Sequence, residues 1–213
     1  MAGCNGHHGN IDVVLFDFGG VLAEEGFRNG LSAIAKANNL DEKGFIQKAY
    51  DIVYSSGYVL GKAPERIFWD ELRQETGLRG EDAAFKKEII SRFVIRDWMI
   101  GLVKKLKAGG ITTGILSDQT DILDLLNKRD NFFRWFDHIF NSYHSGKSKK
   151  DVTLFDDIAK TLGAEQAGIL FIDDDAGNVE RARHKGWKAI HYTDKESFQK
   201  EFERVLPPAQ NPG

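Results

Sequence analysis

The stretch Val13-Val14-Leu15-Phe16-Asp17-Phe18-Gly19-Gly20-Val21-Leu22 sets an apolar run directly against a carboxylate and a pair of glycines. Val13 to Phe16 is too short for a helix and shows no polar alternation, so it reads as a strand covered on both faces, the habit of a parallel sheet. In such sheets ligands bind outside the carboxyl ends of the strands. Asp17 stands at that end.

Working outward, Ile111 to Leu116, Ile169 to Ile172 and Trp187 to Tyr192 repeat the pattern, and His138 to Phe140 is a weaker fifth run. Amphipathic segments separate them: Asp97 to Ala108, Val152 to Leu162 and Gly177 to Lys185, each stopped by glycine. Strand and helix in alternation predict an α/β fold, a doubly wound parallel sheet. From about Phe27 to Ile95 the alternation breaks into helical patterns alone, including Pro64 to Thr76 and Glu81 to Phe93, so an all-helical insertion is expected there. The expected organisation is a core of residues 11–26 and 96–205, an insertion of 27–95, and loose tails of 1–10 and 206–213.

With 29 basic and 32 acidic residues, the net charge of -3 offers no basic excess for binding nucleic acid. No stretch approaches the ~18 to 20 apolar residues of a membrane span. The single cysteine, Cys4, cannot form an intramolecular disulfide, and the first ten residues lack the apolar core of a signal peptide. The cytoplasm is the expected compartment. Nothing in the pattern specifies an oligomeric state.

The strand ends are polar throughout: Asp17, Ser117-Asp118, the segment with Lys147, Lys149 and Lys150, and Asp173-Asp174-Asp175. Together they hold the parts for phosphoryl transfer through a covalent aspartyl intermediate: a carboxylate nucleophile, carboxylates for a divalent metal, and a hydroxyl and a lysine for oxyanions. Carboxylates sharing one crevice repel by about 4 kcal/mol per close pair at an effective dielectric near 20. A hard cation such as Mg²⁺ relieves that.

These residues, in this order, resemble the motifs of the haloacid dehalogenase superfamily from about Ile11 to Tyr192. Leu15-Phe16-Asp17-Phe18-Gly19-Gly20-Val21-Leu22 resembles its first motif, Gly114-Ile115-Leu116-Ser117-Asp118 its second, Lys149-Lys150-Asp151-Val152-Thr153-Leu154-Phe155 its third, and Leu170-Phe171-Ile172-Asp173-Asp174-Asp175-Ala176-Gly177-Asn178 its fourth. The resemblance implies that Asp17 is the nucleophile and that Ser117 and Lys149 hold the transferring oxyanions, with Lys147 and Lys150 as rivals of Lys149. It implies a Mg²⁺ shell of Asp17, the Gly19 carbonyl, Asp174 and Asp173, direct or through water. Gly19, Gly20, Ser117, Asp118 and Lys149 would form the substrate-binding set. The helical insertion would be a mobile cap, and the partner a small phosphorylated metabolite.

The sequence departs from the motif at Gly19, where most phosphatases of the family carry an aspartate that acts as general acid and base. Unless another group such as Glu24 or Glu25 substitutes, leaving groups stable as anions should be favoured and dephosphorylation should be slow. Two alternatives therefore stand beside a Mg²⁺-dependent phosphatase: a metal-independent dehalogenase, and a phosphate-binding regulatory or scaffold protein with little turnover. His7 and His8 are read as tail residues, Lys62 as exposed, and Phe68, Trp69, Leu72, Phe132, Phe133, Trp135 and Phe136 as core.

Overall fold

The computed structural model describes residues 11–206, and Cys4, His7 and His8 lie outside them. The chain runs β1 (Val13–Phe16), α1 (Gly26–Ala37), α2 (Glu42–Ser55), α3 (Glu65–Thr76), α4 (Asp82–Arg92), α5 (Asp97–Ala108), β2 (Thr112–Ser117), α6 (Ile122–Asp130), β3 (His138–Asn141), α7 (Ser142–Ser145), α8 (Thr153–Leu162), β4 (Ile169–Asp173), α9 (Ala176–His184), β5 (Lys188–His191) and α10 (Lys195–Val205). Among the described residues the five strands are all parallel, in the order β3-β2-β1-β4-β5.

Strand periodicity divides the core. Val14 and Phe16 of β1 join Ile115, Leu170, Ile172 and Ile190 on one face, beneath α5, α6 and α10. Val13 and Leu15 join Leu116, Ile169 and Phe171 on the other, beneath α8 and α9. Helices on both faces of a parallel sheet are the doubly wound arrangement expected from the sequence. The outermost strand, β3, keeps His138, Ile139 and Phe140 only half-buried, which is why its apolar signal is weak.

Between β1 and α5 lies the all-helical insertion of α1 to α4, with a short 3₁₀ turn at Tyr58–Leu60. Phe68, Trp69 and Leu72 of α3 are buried, and Trp69 packs edge-on to Phe68 at 4.6 Å between ring centres and against Phe85 of α4 at 5.2 Å. The two strands of chain that enter and leave the insertion run side by side. Glu24 N–H donates to the Val94 carbonyl at 2.9 Å, and Arg96 N–H to the Leu22 carbonyl at 2.9 Å. Arg96 adds a two-pronged ion pair to Glu24, at 3.0 and 3.1 Å, and a hydrogen bond to the Val21 carbonyl at 3.0 Å.

The aromatic cluster is core only in part: Phe132 and Phe136 are buried, while Phe133 and Trp135 flank the core half-exposed. Lys62 is exposed. Leu206, assigned from sequence to the C-terminal tail, instead packs against the core, because the last turn of α10 carries it there through its N–H bond to the Phe202 carbonyl, 2.8 Å. No helix among the described residues is long and apolar enough to cross a membrane.

Candidate active site

Asp17 follows β1 directly, and its N–H extends the ladder to the Ile172 carbonyl of β4 at 2.8 Å. Phe18 then anchors the chain in the core, stacked on Phe132 at 4.9 Å. Gly20 turns it at φ +79°, and Ala23 N–H closes back on the Phe18 carbonyl at 2.9 Å. A Cβ on Gly20 would fall 2.0 Å from Asp174 Oδ2, so this position requires glycine twice over, for its dihedral and for the carboxylate lying against it.

Ser117 ends β2 in register with Asn141 of β3. The buried Asn141 side chain clamps the following loop, accepting from Gln119 N–H at 3.2 Å and donating to the Thr120 carbonyl at 3.1 Å. Lys149 is held from both sides along its backbone. Its N–H donates to both Asp118 oxygens at 3.0 and 3.1 Å, and its carbonyl accepts from Arg181 Nε at 2.8 Å.

The Lys149 side chain is 2% exposed, and its Nζ lies 3.0 Å from Asp17 Oδ1 and 2.6 Å from Asp173 Oδ2. Its rivals are elsewhere. Lys147 pairs with Asp157 at 2.5 Å, and Lys150 lies over the Tyr54 ring at 3.4 Å from its centre.

Asp173 is fully buried and heavily bonded: Oδ1 accepts from Asp175 N–H at 2.7 Å and Asn178 Nδ2 at 3.2 Å, and Oδ2 from Lys149 and from Asn178 Nδ2 at 3.1 Å. These contacts occupy the roughly four lone-pair positions of a carboxylate. Asp17 differs. Its Oδ1 is buried and accepts no aligned hydrogen bond, despite the nearby ammonium. Asp174 is solvent-accessible, and one oxygen each from Asp17, Asp173 and Asp174 lie within 4.8 Å of one another.

The electrostatics follow from this crowding. Burial drives the Asp17 carboxyl well above its usual range; Lys149 opposes the shift, while Asp173 and Asp174 add to it. Asp174 is pushed up to about 6, chiefly by desolvation and then by Asp173 and Glu25. Burial alone would lower the Lys149 ammonium, but Asp17, Asp173 and Asp118 outweigh it and hold the group protonated. One buried cation faces three clustered carboxylates, and the chemistry of that donor set suits a divalent cation.

A cavity of about 800 Å³ opens over these groups between the sheet edge and the helical insertion. Asp17, Ser117, Lys149 and Asp174 form its floor, and Phe27, Tyr50, Val53 and Tyr54 line it from α1 and α2. Asp118, named from sequence as substrate-binding, spends its oxygens on Lys149 N–H and on the Tyr54 hydroxyl, 3.0 Å away. Glu25 also borders the cavity, and burial raises its carboxyl.

A family model for haloacid dehalogenase-like hydrolases matches residues 11–184. The chain belongs to this family. Its similarity to "Drimenol cyclase drtB" of Aspergillus calidoustus is 31% identity over 82 residues, 38% of this chain and 15% of that one. "Sesquiterpene phosphatase astK" of Aspergillus oryzae is 29% identical over 137 residues, 63% of this chain and 69% of that one. Among solved haloacid dehalogenase-family structures, the enzyme BT-2542 of Bacteroides thetaiotaomicron superposes with a TM-score of 0.73 at 22% identity, covering 91% of this chain and 98% of that one. It therefore shares the fold.

The family frame was legible in the four motifs, and the structure gathers Asp17, Ser117, Lys149 and Asp174 around one cavity, with Asp173 buried behind Lys149. Sequence reasoning gave no role to Asn141 or Arg181, nor to Asn178, although Asn178 closes the fourth motif. Asn141 ends β3, and Asn178 and Arg181 sit in the first turns of α9, positions whose importance shows only when two loops are brought together.

Proposed function

We propose that this hydrolase is a Mg²⁺-dependent phosphatase of small phosphorylated metabolites, acting through an aspartyl-phosphate on Asp17. The observation that carries the reading is the buried, unbonded Asp17 Oδ1 beside the Lys149 ammonium, at the floor of a cavity large enough for a metabolite. An Asp17 oxygen attacks phosphorus, and Lys149 and the Ser117 hydroxyl hold the oxygens on which charge builds. Asp173 orients Lys149 through its 2.6 Å bond. Water then releases phosphate and restores the carboxylate.

Asp17, Asp174 and the Gly19 carbonyl would hold the cation, with Asp173 supporting from behind because its own oxygens are taken. When bound, Mg²⁺ neutralises the clustered carboxylates and the charge on the phosphoryl oxygens. In support, astK is described as a phosphatase, and BT-2542 has been solved in complex with magnesium and inorganic phosphate. The carboxylate cluster favours this reading over a metal-independent dehalogenase and over a scaffold without turnover. Residues 27–95 act as the cap, closing over substrate and excluding water.

The test is release of inorganic phosphate from a panel of phosphate monoesters, with and without Mg²⁺, by the wild type and Asp17→Asn. Turnover that needs the metal and falls at least ~10³-fold in the variant is expected. Halide release without metal, or full activity in Asp17→Asn, would reverse the conclusion.

A further inference from the structure

The position two residues after Asp17 is glycine, yet the space beside it is filled. A Cβ built on Gly19 would meet Glu25 Oε2 at 3.2 Å, ahead of Phe93 at 3.5 Å and Gln119 Nε2 at 3.7 Å. Of these three neighbours only the carboxylate can move a proton. Glu25 reaches this place because it caps α1: Arg28 N–H donates to its Oε1 at 2.9 Å, and the Tyr50 hydroxyl donates to the same oxygen at 3.2 Å. Both bonds fall on Oε1, so the geometry fixes the carboxylate and turns Oε2 toward Gly19 and the cavity. Glu24, its neighbour, is spent elsewhere: both its oxygens hold Arg96, and its side chain is 53% exposed.

We propose that Glu25, through Oε2, is the proton-transfer residue of this enzyme, standing where a side chain at position 19 would reach, and that unactivated alkyl phosphates are therefore substrates. The proposal rests on the phosphatase reading above. In the first half-reaction the Asp17 oxygen forms a bond to phosphorus, the bond from phosphorus to the ester oxygen breaks, and that oxygen keeps the electron pair and takes the proton of Glu25. An alcohol leaves. In the second half, Glu25 takes a proton from water as the water oxygen bonds to phosphorus, and the bond from phosphorus to Asp17 breaks. Phosphate leaves, and both carboxyl groups return to their starting states.

This placement also explains why the sequence can carry glycine beside the nucleophile. An aspartate at position 19 would run into Glu25 Oε2. The proton carrier comes instead from the N-cap of α1, where the chain enters the helical insertion, so the site is complete only when α1 is seated as it is here.

The test uses Glu25→Gln, which keeps an oxygen to accept from Arg28 N–H and Tyr50 but cannot transfer a proton. With a primary alkyl phosphate, kcat/KM should fall ~10²- to 10⁴-fold, the usual worth of general acid–base help. With p-nitrophenyl phosphate, whose leaving group needs no acid, the first half should slow less than tenfold. Nitrophenolate should then appear in a burst equal to the enzyme concentration, because dephosphorylation has become limiting. Gly19→Asp combined with Glu25→Ala should recover at least tenfold of the lost alkyl activity, whereas Gly19→Asp alone should lower it.

Glu25→Gln turning over alkyl phosphate within threefold of wild type overturns the proposal. So does equal loss on both substrates without a burst, or failure of the double variant to exceed Glu25→Ala. An unchanged Asp17→Asn overturns the phosphatase reading itself. Loss in Asp17→Asn with no effect in Glu25→Gln overturns the assignment of Glu25 alone.

Discussion

Asp174 lies directly against Gly20: its Oδ2 occupies the place where a Cβ at residue 20 would be, 2.0 Å away. The turn after the nucleophile and the carboxylate after β4 are thus fitted to each other with no space between them. Gly20→Ala should displace Asp174 and strain the turn, where φ is +79° and a left-handed alanine costs about 1–2 kcal/mol. The expected result is at least a tenfold loss of Mg²⁺ affinity by calorimetry together with a lower Tm. Unaltered Mg²⁺ affinity would mean that Asp174 does not hold the cation.

The metal-free protein should become more stable on mild acidification. Asp17, Asp174, Asp118 and Glu25 all have folded pKa values above their ordinary ones, burial being the leading cause each time. For a raised carboxyl the folded state binds more protons than the unfolded chain. Stability therefore falls as pH rises from the unfolded value through the folded one, for Asp174 from 3.8 through about 6. Melting temperatures in EDTA should rise from pH 7.5 to 5.5. Saturating Mg²⁺ should raise Tm most at pH 7.5 and flatten that dependence, because it binds the folded, deprotonated site. A metal-free Tm that drops over this range would contradict the electrostatic picture of the site.

Tyr54 joins the insertion to the loop that carries Lys149. Its hydroxyl donates to Asp118 Oδ2 at 3.0 Å, and burial raises the phenol, so it stays a donor at neutral pH. Tyr54→Phe removes that bond, and Asp118 keeps Lys149 N–H. A loss of about 0.5–1.5 kcal/mol in unfolding free energy is expected, with a several-fold fall in kcat/KM as Lys149 gains freedom. Chemical denaturation and steady-state kinetics check both. Kinetics identical to wild type would show that the contact serves the insertion alone.

The central strands were readable because they are covered on both faces. Val13–Phe16 in β1 and Ile169–Ile172 in β4 are uninterrupted apolar runs, and a run of that length with turn residues around it has few other fates. Helix α10 carried little signal, since only Phe198 and Phe202 bury along a charged segment. Composition could not separate Lys149 from Lys147 and Lys150. What singles it out is tertiary: Asp118 and Arg181, 31 and 32 residues away, pin its backbone so that its side chain alone enters the core. The approach of Glu25 to Gly19 was equally unreadable in detail, because it depends on how α1 folds back over the turn it leaves.

On the phosphatase reading, the organic part of the substrate would meet one face of α2. Ile46, Tyr50 and Val53 recur at intervals of four and three residues, which places them in a line along the helix, and all three border the cavity, with Phe27 and Val59 beside them. This wall is apolar, while Arg28 and Lys43 border the same cavity with charge. An alkyl chain extending from the phosphate would lie along it, and each methylene removed from water contributes about 0.8 kcal/mol, roughly fourfold in affinity. Across straight-chain alkyl phosphates from ethyl to octyl, kcat/KM should therefore climb two- to fourfold per methylene until the cavity is full. Ile46 is half-buried and packs against the edge of the core beside the cavity, so the Tm of Ile46→Glu is to be read beside its kinetics and should fall only modestly. The introduced carboxylate should flatten the chain-length dependence while leaving competitive inhibition by inorganic phosphate, which touches only the floor, within twofold of wild type. If the dependence stays steep in Ile46→Glu, the chain follows another path out of the site; if phosphate inhibition is lost as well, the substitution has disturbed the floor and not the wall.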